Sequence, residues 1–180
     1  LAVIMGLMLA FDMGGPINKV AYAFMLICVA QGVYTVVAIA AVGICVPPLG
    51  LGLATLIGRK NFSSEEREAG KAALVMGCVG VTEGAIPFAA ADPLRVIPSI
   101  MVGSACGTVT AALFGAQCYA GWGGLIVLPV VEGKLGYIAA VAIGAVVTAV
   151  CVNVLKSLAR KKVSQVDQKE DDLDLDFEMN

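Results

Sequence analysis

The stretch Gly80-Val81-Thr82-Glu83-Gly84-Ala85-Ile86-Pro87-Phe88 decides how this sequence is read. It sets one carboxylate, Glu83, inside apolar sequence: eleven uncharged residues, Ala72 to Thr82, precede it and eight, Gly84 to Ala91, follow. An acid so placed is expensive in a bilayer and marks a substrate or proton pathway. The two glycines and the proline beside it break a membrane helix, and a broken helix is tolerated only where its freed backbone is buried in protein or lines a cavity. Many transporters build a substrate site in this way, with a polar group at the break. The competing reading is a surface loop with a solvated Glu83.

Outward from that stretch, the composition is that of a membrane protein. Of 180 residues, 59% are hydrophobic and 14% charged, and the mean hydropathy is +0.89. Soluble domains carry about 25% charged residues. The charges are also unevenly placed: seven crowd Arg59 to Lys71 and twelve lie from Lys156 to Glu178. No basic patch with interleaved aromatics points to nucleic acid. The six cysteines form no CxxC pair and read as apolar filler, and with no histidine in the chain neither a metal nor a cofactor is expected. The chain begins at Leu1 in mid-hydrophobic sequence, as a fragment lacking an N-terminal part would.

Uncharged runs long enough to span a bilayer, about 20 residues, lie at Val20 to Val46, Val96 to Gly115 and Leu135 to Leu155. Leu1 to Phe11 reads as the end of a helix, interrupted by Asp12-Met13-Gly14-Gly15-Pro16-Ile17-Asn18-Lys19, where Asp12, Asn18 and Lys19 can reach a polyol or each other, or stay solvated in a polar loop. Pro47-Pro48 is expected to end the helix before it. Ser63 followed by Glu66 is a capping box, so a helix starts there and carries Ala72 to Val79 into the membrane. Gln117 to Tyr137, with Trp122, Tyr119 and Tyr137, reads as a connection anchored by aromatics at the interface.

Topology gives a second argument for a helix break at Glu83. Arg59, Lys60, Arg67 and Lys71 on one side, and Lys156, Arg160, Lys161 and Lys162 after the last span, are both cytoplasmic under the positive-inside rule. An even number of crossings must separate them. Val96 to Gly115 and Leu135 to Leu155 supply two, so, provided that Gly121 to Val131 does not cross, Ala72 to Ala91 must enter and return on one side. The expected fold is therefore an all-α integral membrane protein: transmembrane helices plus a re-entrant, broken-helix hairpin carrying Thr82 to Phe88.

The segments Asp12 to Lys19 and Thr82-Glu83-Gly84-Ala85-Ile86-Pro87-Phe88-Ala89-Ala90-Ala91-Asp92-Pro93 together resemble the fructose family of bacterial phosphotransferase-system (PTS) permeases, in the C-terminal half of their EIIC membrane domain. The resemblance implies that residues 1–162 are a partial EIIC domain; residues 163–180, outside it, read from their polar, acidic composition as a disordered cytoplasmic tail. It implies a permease of the bacterial inner membrane, embedded in lipid as a homodimer. Such a permease binds fructose or a related sugar, moves it inward and presents it to phosphorylated EIIB, which is charged by EIIA. It implies a sugar phosphotransferase only together with EIIB, whose phospho-cysteine belongs to another domain; this chain alone would not phosphorylate. By the same resemblance Glu83 touches the hydroxyl to be phosphorylated and is the catalytic bet. A carboxylate there can orient the hydroxyl and accept its proton, and burial would make it a stronger base. Thr82, Gly84, Asp12, Asn18 and Lys19 are the accompanying sugar-binding candidates. Arg95 is a candidate contact for phosphate or EIIB, or else an interfacial anchor paired with Asp92. Two other readings stand beside this one: a secondary sugar/proton transporter using Glu83 as proton carrier, and a membrane scaffold in which Glu83 does nothing.

Overall fold

The computed structural model describes the backbone of residues 1–178 and the side chains of residues 1–160. The chain is helical almost throughout: α1 (Ala2–Phe11), α2 (Pro16–Ala30), α3 (Tyr34–Ile57), α4 (Ser64–Val79), a 3₁₀ turn (Thr82–Ala85), α5 (Ile86–Ala91), α6 (Pro93–Leu113) and α7 (Lys134–Glu178). A two-residue antiparallel pair, β1 (Gln117–Cys118) with β2 (Val131–Glu132), closes the connection between α6 and α7. By length and composition, α3, α6 and the Lys134–Arg160 part of α7 can each cross a membrane.

These three helices pack through residues that lack bulk. A Cβ at Gly103 of α6 would fall on Thr148 Oγ1 of α7 and within 2.7 Å of the Gly144 carbonyl, and one at Gly107 would meet the Ala140 carbonyl at 3.1 Å. The Gly103–Gly107 pair therefore sets the close approach of α6 and α7, as small residues one turn apart do in membranes. The core, with Val37, Val42, Val46 and Leu51 of α3, Ile100 of α6 and Val152 of α7 almost completely buried, fills the space between the three.

The hairpin follows from local chemistry. Ser63 accepts from the Glu66 backbone N–H and the Glu66 carboxylate accepts from the Ser63 N–H, so the expected capping box starts α4. Gly80 ends it at φ +90°, with the Val81 N–H reaching back to the Met76 carbonyl, the six-residue closure that a left-handed glycine permits. The chain then folds back along α4: Gly84 sits against Met76 and Ala73, and Phe88 and Ala89 share a buried cluster with Ala73. Asp92 and Arg95 border the same surface notch as Ser63 and Lys156. Entrance and exit of the hairpin thus lie on one face, which Lys60, Arg95, Lys156 and Arg160 make basic, while its tip reaches Gly123 and Gly124 beyond α6. Segment 121–131 holds no helix long enough to span, only a short 3₁₀ run, Leu125–Val130, and the first residue of β2.

A part-buried ion pair ties the hairpin base to α7. Lys156 meets the second Glu66 oxygen and lies 4.3 Å from the centre of the Phe62 ring, with the Lys and Glu side chains only 10% and 14% exposed. Removing one member of such a pair strands the other. Lys156→Met is therefore expected to destabilise the protein by roughly 3 kcal/mol. Adding Glu66→Gln should recover part of that loss, seen as non-additive thermal midpoints in detergent.

Two expectations about the first long run are corrected. Val20 to Val46 is not one span: α2 stops at Ala30, and Gly32, at φ +73°, lets the Val33 N–H bond the Cys28 carbonyl before α3 begins. Nor does Pro47-Pro48 end α3, which runs through both. Proline at 48 cannot donate to the Ile44 carbonyl, and that carbonyl instead accepts the Thr82 hydroxyl at 3.2 Å. A break tolerated because a neighbour re-satisfies the backbone is what a membrane interior requires. At the other end, the α7 backbone stays helical to Glu178 where an irregular tail is expected from residue 163. A helix already nucleated by the span extends at little further cost through Gln, Lys and Glu. The tail's end, residues 179–180, lies outside the described residues.

Candidate functional site

The two acid-bearing breaks meet. α1 and α2 form a second hairpin whose turn, residues 12–15, points at the tip of the α4 hairpin. Gly14, at φ +109°, lies so close to Glu83 that a Cβ there would stand 2.7 Å from Glu83 Oε1. Between the two hairpins is a cavity of ≈ 510 Å³. Gly14, Asn18 and Lys19 line it from one side and Gly80, Val81, Thr82 and Glu83 from the other. Tyr22, Ala23, Leu26, Ile44 and Trp122 complete the wall. That volume falls in the range of small-molecule sites.

Each predicted residue has a definite place. Glu83 is exposed to the cavity, so the expected burial does not hold in this chain; among the described residues no donor is bonded to its carboxylate. Thr82 is buried and donates to the Ile44 carbonyl, which fixes the tip against the proline-bearing turn of α3. Lys19 Nζ donates to the Gly14 carbonyl at 2.8 Å at the cavity edge. Asn18, 7% exposed, donates its side-chain amide to the Leu9 carbonyl at 2.6 Å and so staples α2 to α1.

Asp12, Gly84 and Arg95 do not border this cavity. The Asp12 carboxylate accepts from the backbone N–H of Ile17 at 2.7 Å and of Asn18 at 2.9 Å. It therefore satisfies the free amides at the start of α2, a favourable place for an acid. Gly84 is buried behind the tip, where a Cβ would be 3.1 Å from Met76 Cβ and 3.2 Å from Pro48 Cβ. Arg95 lies on the basic face, paired with Asp92 at 2.8 Å. This is the anchor arrangement, and it leaves the Arg95 side chain 42% exposed there.

The aromatic part of the wall is what the sequence reading missed. Tyr22 and Trp122 meet edge to face at 6.4 Å. Tyr22 OH donates to the Gly121 carbonyl at 2.9 Å and Trp122 Nε1 to the Val79 carbonyl at 2.7 Å. The available signal was the run Gly121-Trp122-Gly123-Gly124, in which the lone tryptophan sits among three glycines. Nor is Tyr137 an interfacial anchor: it is fully buried, and its hydroxyl donates to the Gly124 carbonyl at 2.8 Å. Tyr119 does sit in the outer connection, donating to Glu132 at 2.6 Å, a bond that pushes its phenol above the ordinary value.

The site combines a carboxylate with no donor bonded to it among the described residues, an ammonium group and an aromatic corner around one small-molecule-sized space. It can hold a polyol and take a proton from it. Among the described residues no group of His, Cys, Asp and Glu is placed to hold a metal ion.

Comparison with known proteins points the same way. No family model and no solved structure matches the chain. The chain is 92% identical over all 180 residues to the "Fructose-like permease IIC component 2" of Escherichia coli (strain K12), half of whose length it spans. It is 48% identical over 159 residues to a "PTS system fructose-specific EIIB'BC component" of Xanthomonas campestris pv. campestris, covering 87% of this chain and 27% of that protein. With a "PTS system fructose-specific EIIC component" of Haloferax volcanii it shares 41% identity over 153 residues, 85% of this chain and 41% of the relative. The chain thus spans about half or less of these relatives. With both motif-bearing hairpins present and matches across nearly all its residues, it belongs to the fructose family of phosphotransferase-system permeases, in their IIC membrane component.

Proposed function

We propose that the protein containing this chain is the sugar-translocating IIC subunit of a phosphoenolpyruvate-dependent phosphotransferase system. It binds fructose or a related sugar, moves it inward and presents it to phosphorylated EIIB. The observation that carries this reading is the meeting of Gly14 and Glu83 at one cavity, because it joins the two family motifs, distant in sequence, around a space of sugar size. Names of relatives that combine EIIB, or EIIA and EIIB, with the C component support EIIA and EIIB as partners.

In this reading Glu83 accepts a hydrogen bond from the reacting sugar hydroxyl. As the hydroxyl oxygen bonds to phosphorus, the bond from phosphorus to the EIIB cysteine sulfur breaks and the hydroxyl proton passes to Glu83. Positioning and charge stabilisation carry most of such a transfer, and a placed base adds about 10²–10⁴-fold. Lys19, Asn18 and Thr82 shape the pocket; Asp12 and Gly84 act through backbone geometry. The basic face with Arg95 and Lys60 is the side on which EIIB and the product phosphate would be met, so it is cytoplasmic, and the α7 tail with it. Residues 1–162 form the membrane part and 163–180 the acidic tail. The permease sits in the lipid of the bacterial inner membrane, as a homodimer.

The test uses inverted membrane vesicles carrying the complete permease, phosphoenolpyruvate, the general soluble carriers and labelled fructose. Sugar phosphate that forms only with phosphoenolpyruvate is the expected result. Free fructose moved without phosphorylation would replace this reading by a secondary transporter in which Glu83 carries the proton.

A further inference from the structure

We infer that Trp122, braced by Tyr22, is the stacking wall that selects the ligand's nonpolar face, so that the cavity takes a compact polyol ring with one C–H face and one hydroxyl edge. This rests on the sugar-handling reading above and adds a specificity-determining residue to it.

The polar side-chain atoms of this corner are bonded to backbone carbonyls. The indole N–H of Trp122 is spent on the Val79 carbonyl and the phenol of Tyr22 on the Gly121 carbonyl. The indole has no other polar atom, so what Trp122 leaves to the cavity is ring surface. Trp122 keeps 45% of its surface exposed even so. An interfacial anchor turns its polar end to water and headgroups; this one turns it to a protein carbonyl and its ring to the cavity. Its neighbours in the wall, Ala23, Leu26 and Ile44, carry no side-chain polar atom. The charged groups that can meet hydroxyls, Glu83 at the tip of the α4 hairpin and Lys19 in the first turns of α2, lie on other parts of the wall.

A cavity so divided matches a sugar. Aromatic faces carry negative charge and attract the weakly positive C–H groups of a ring. Fixing the indole through Nε1 and through the edge-to-face contact with Tyr22 means little side-chain freedom is lost on binding, which favours affinity. The same Trp122–Val79 bond ties the wall to the last turn of α4, immediately before Gly80 and the Glu83 tip. Wall and carboxylate therefore belong to one braced unit, and a ring seated on Trp122 meets Glu83 at a fixed distance.

Equilibrium dialysis of labelled fructose against the complete permease in detergent, without phosphoenolpyruvate or carriers, tests this. Trp122→Ala is expected to weaken binding at least tenfold. Trp122→Phe keeps a ring but loses the bond to Val79, and is expected to stay within about threefold of wild type. Should Trp122→Ala fail to fold, Trp122→Leu, apolar but without a π-face, takes its place with the same expected loss. The inference is overturned if the ring-less variant binds within twofold of wild type. It is also overturned if Trp122→Phe is as weak as Trp122→Ala, which would make bracing the whole role. Absence of wild-type binding to fructose, mannose and mannitol alike would overturn it too. The phosphorylation assay separates the two claims. Binding that depends on Trp122 without phosphoenolpyruvate-dependent phosphorylation sinks the permease reading and leaves the wall standing. Phosphorylation with an unchanged KM in Trp122→Ala does the reverse.

Discussion

Glu83→Gln is expected to lower phosphoenolpyruvate-dependent sugar phosphorylation at least 100-fold, while sugar binding falls less than tenfold. Glutamine keeps the size and a hydrogen-bonding oxygen but cannot take the proton, and a placed general base contributes about 10²–10⁴ in rate. The structure favours a large effect because the carboxylate opens to the cavity at the tip of a hairpin whose other polar side chain, Thr82, is already bonded to Ile44. Loss concentrated in kcat with little change in KM is the signature of a group acting in the transition state. Glu132→Gln, at an exposed position in the connection between α6 and α7, should change neither quantity. A Glu83→Gln protein that phosphorylates normally would remove the base from the mechanism.

The second large effect is expected at Gly80. Its φ of +90° is a left-handed conformation that costs an L-residue about 1–2 kcal/mol. A Cβ there would also lie 2.3 Å from the Gly123 carbonyl oxygen, which is backbone and cannot rotate away. Overlap of that kind typically adds about 1–3 kcal/mol. Gly80→Ala should therefore push the hairpin tip off the segment 121–124, displace Glu83, and cut sugar phosphorylation at least tenfold in protein that still inserts. Gly32→Ala is the control. Gly32 has φ +73° but nothing within 4 Å of its Cβ position, so the backbone term alone applies. Equal behaviour of the two variants, measured as phosphorylation per inserted protein and as thermal midpoint, would show that the contact with Gly123 does not set the tip.

Much of this was legible in the sequence, for identifiable reasons. Ser63 and Glu66 are a local signal with a local mechanism, and both halves of the capping box form. The two spans that the charge clusters call for have counterparts in α6 and α7, each long and apolar enough to cross. What stayed hidden depended on tertiary partners. The break at Gln31-Gly32-Val33 carries no charge, and a single glycine in an apolar run seldom separates a helix end from a helix interior. The passage of α3 through Pro47-Pro48 depends on Thr82, 38 residues away, accepting the role of missing partner for Ile44. Asp12 reads as a sugar ligand in sequence, yet it lies one turn before a helix start and its oxygens go to backbone amides. Trp122 reads as an anchor in sequence because aromatic residues between spans usually are; its bond to Val79 cannot be seen without the fold.

The central claim is geometric: the Asp12–Lys19 turn and the Thr82–Phe88 hairpin wall one sugar cavity. A direct measurement places cysteines at Ala23 and Val81, which line that cavity from opposite hairpins, in the complete permease. A bifunctional thiol reagent is then added, long enough to cross a space of ≈ 510 Å³, which as a sphere is about 10 Å wide. Linked peptides are identified by mass, with each single variant as the reference for the native cysteines. The account predicts a 23–81 link that forms readily and is suppressed by fructose. No link, or a link that sugar leaves untouched, would contradict it.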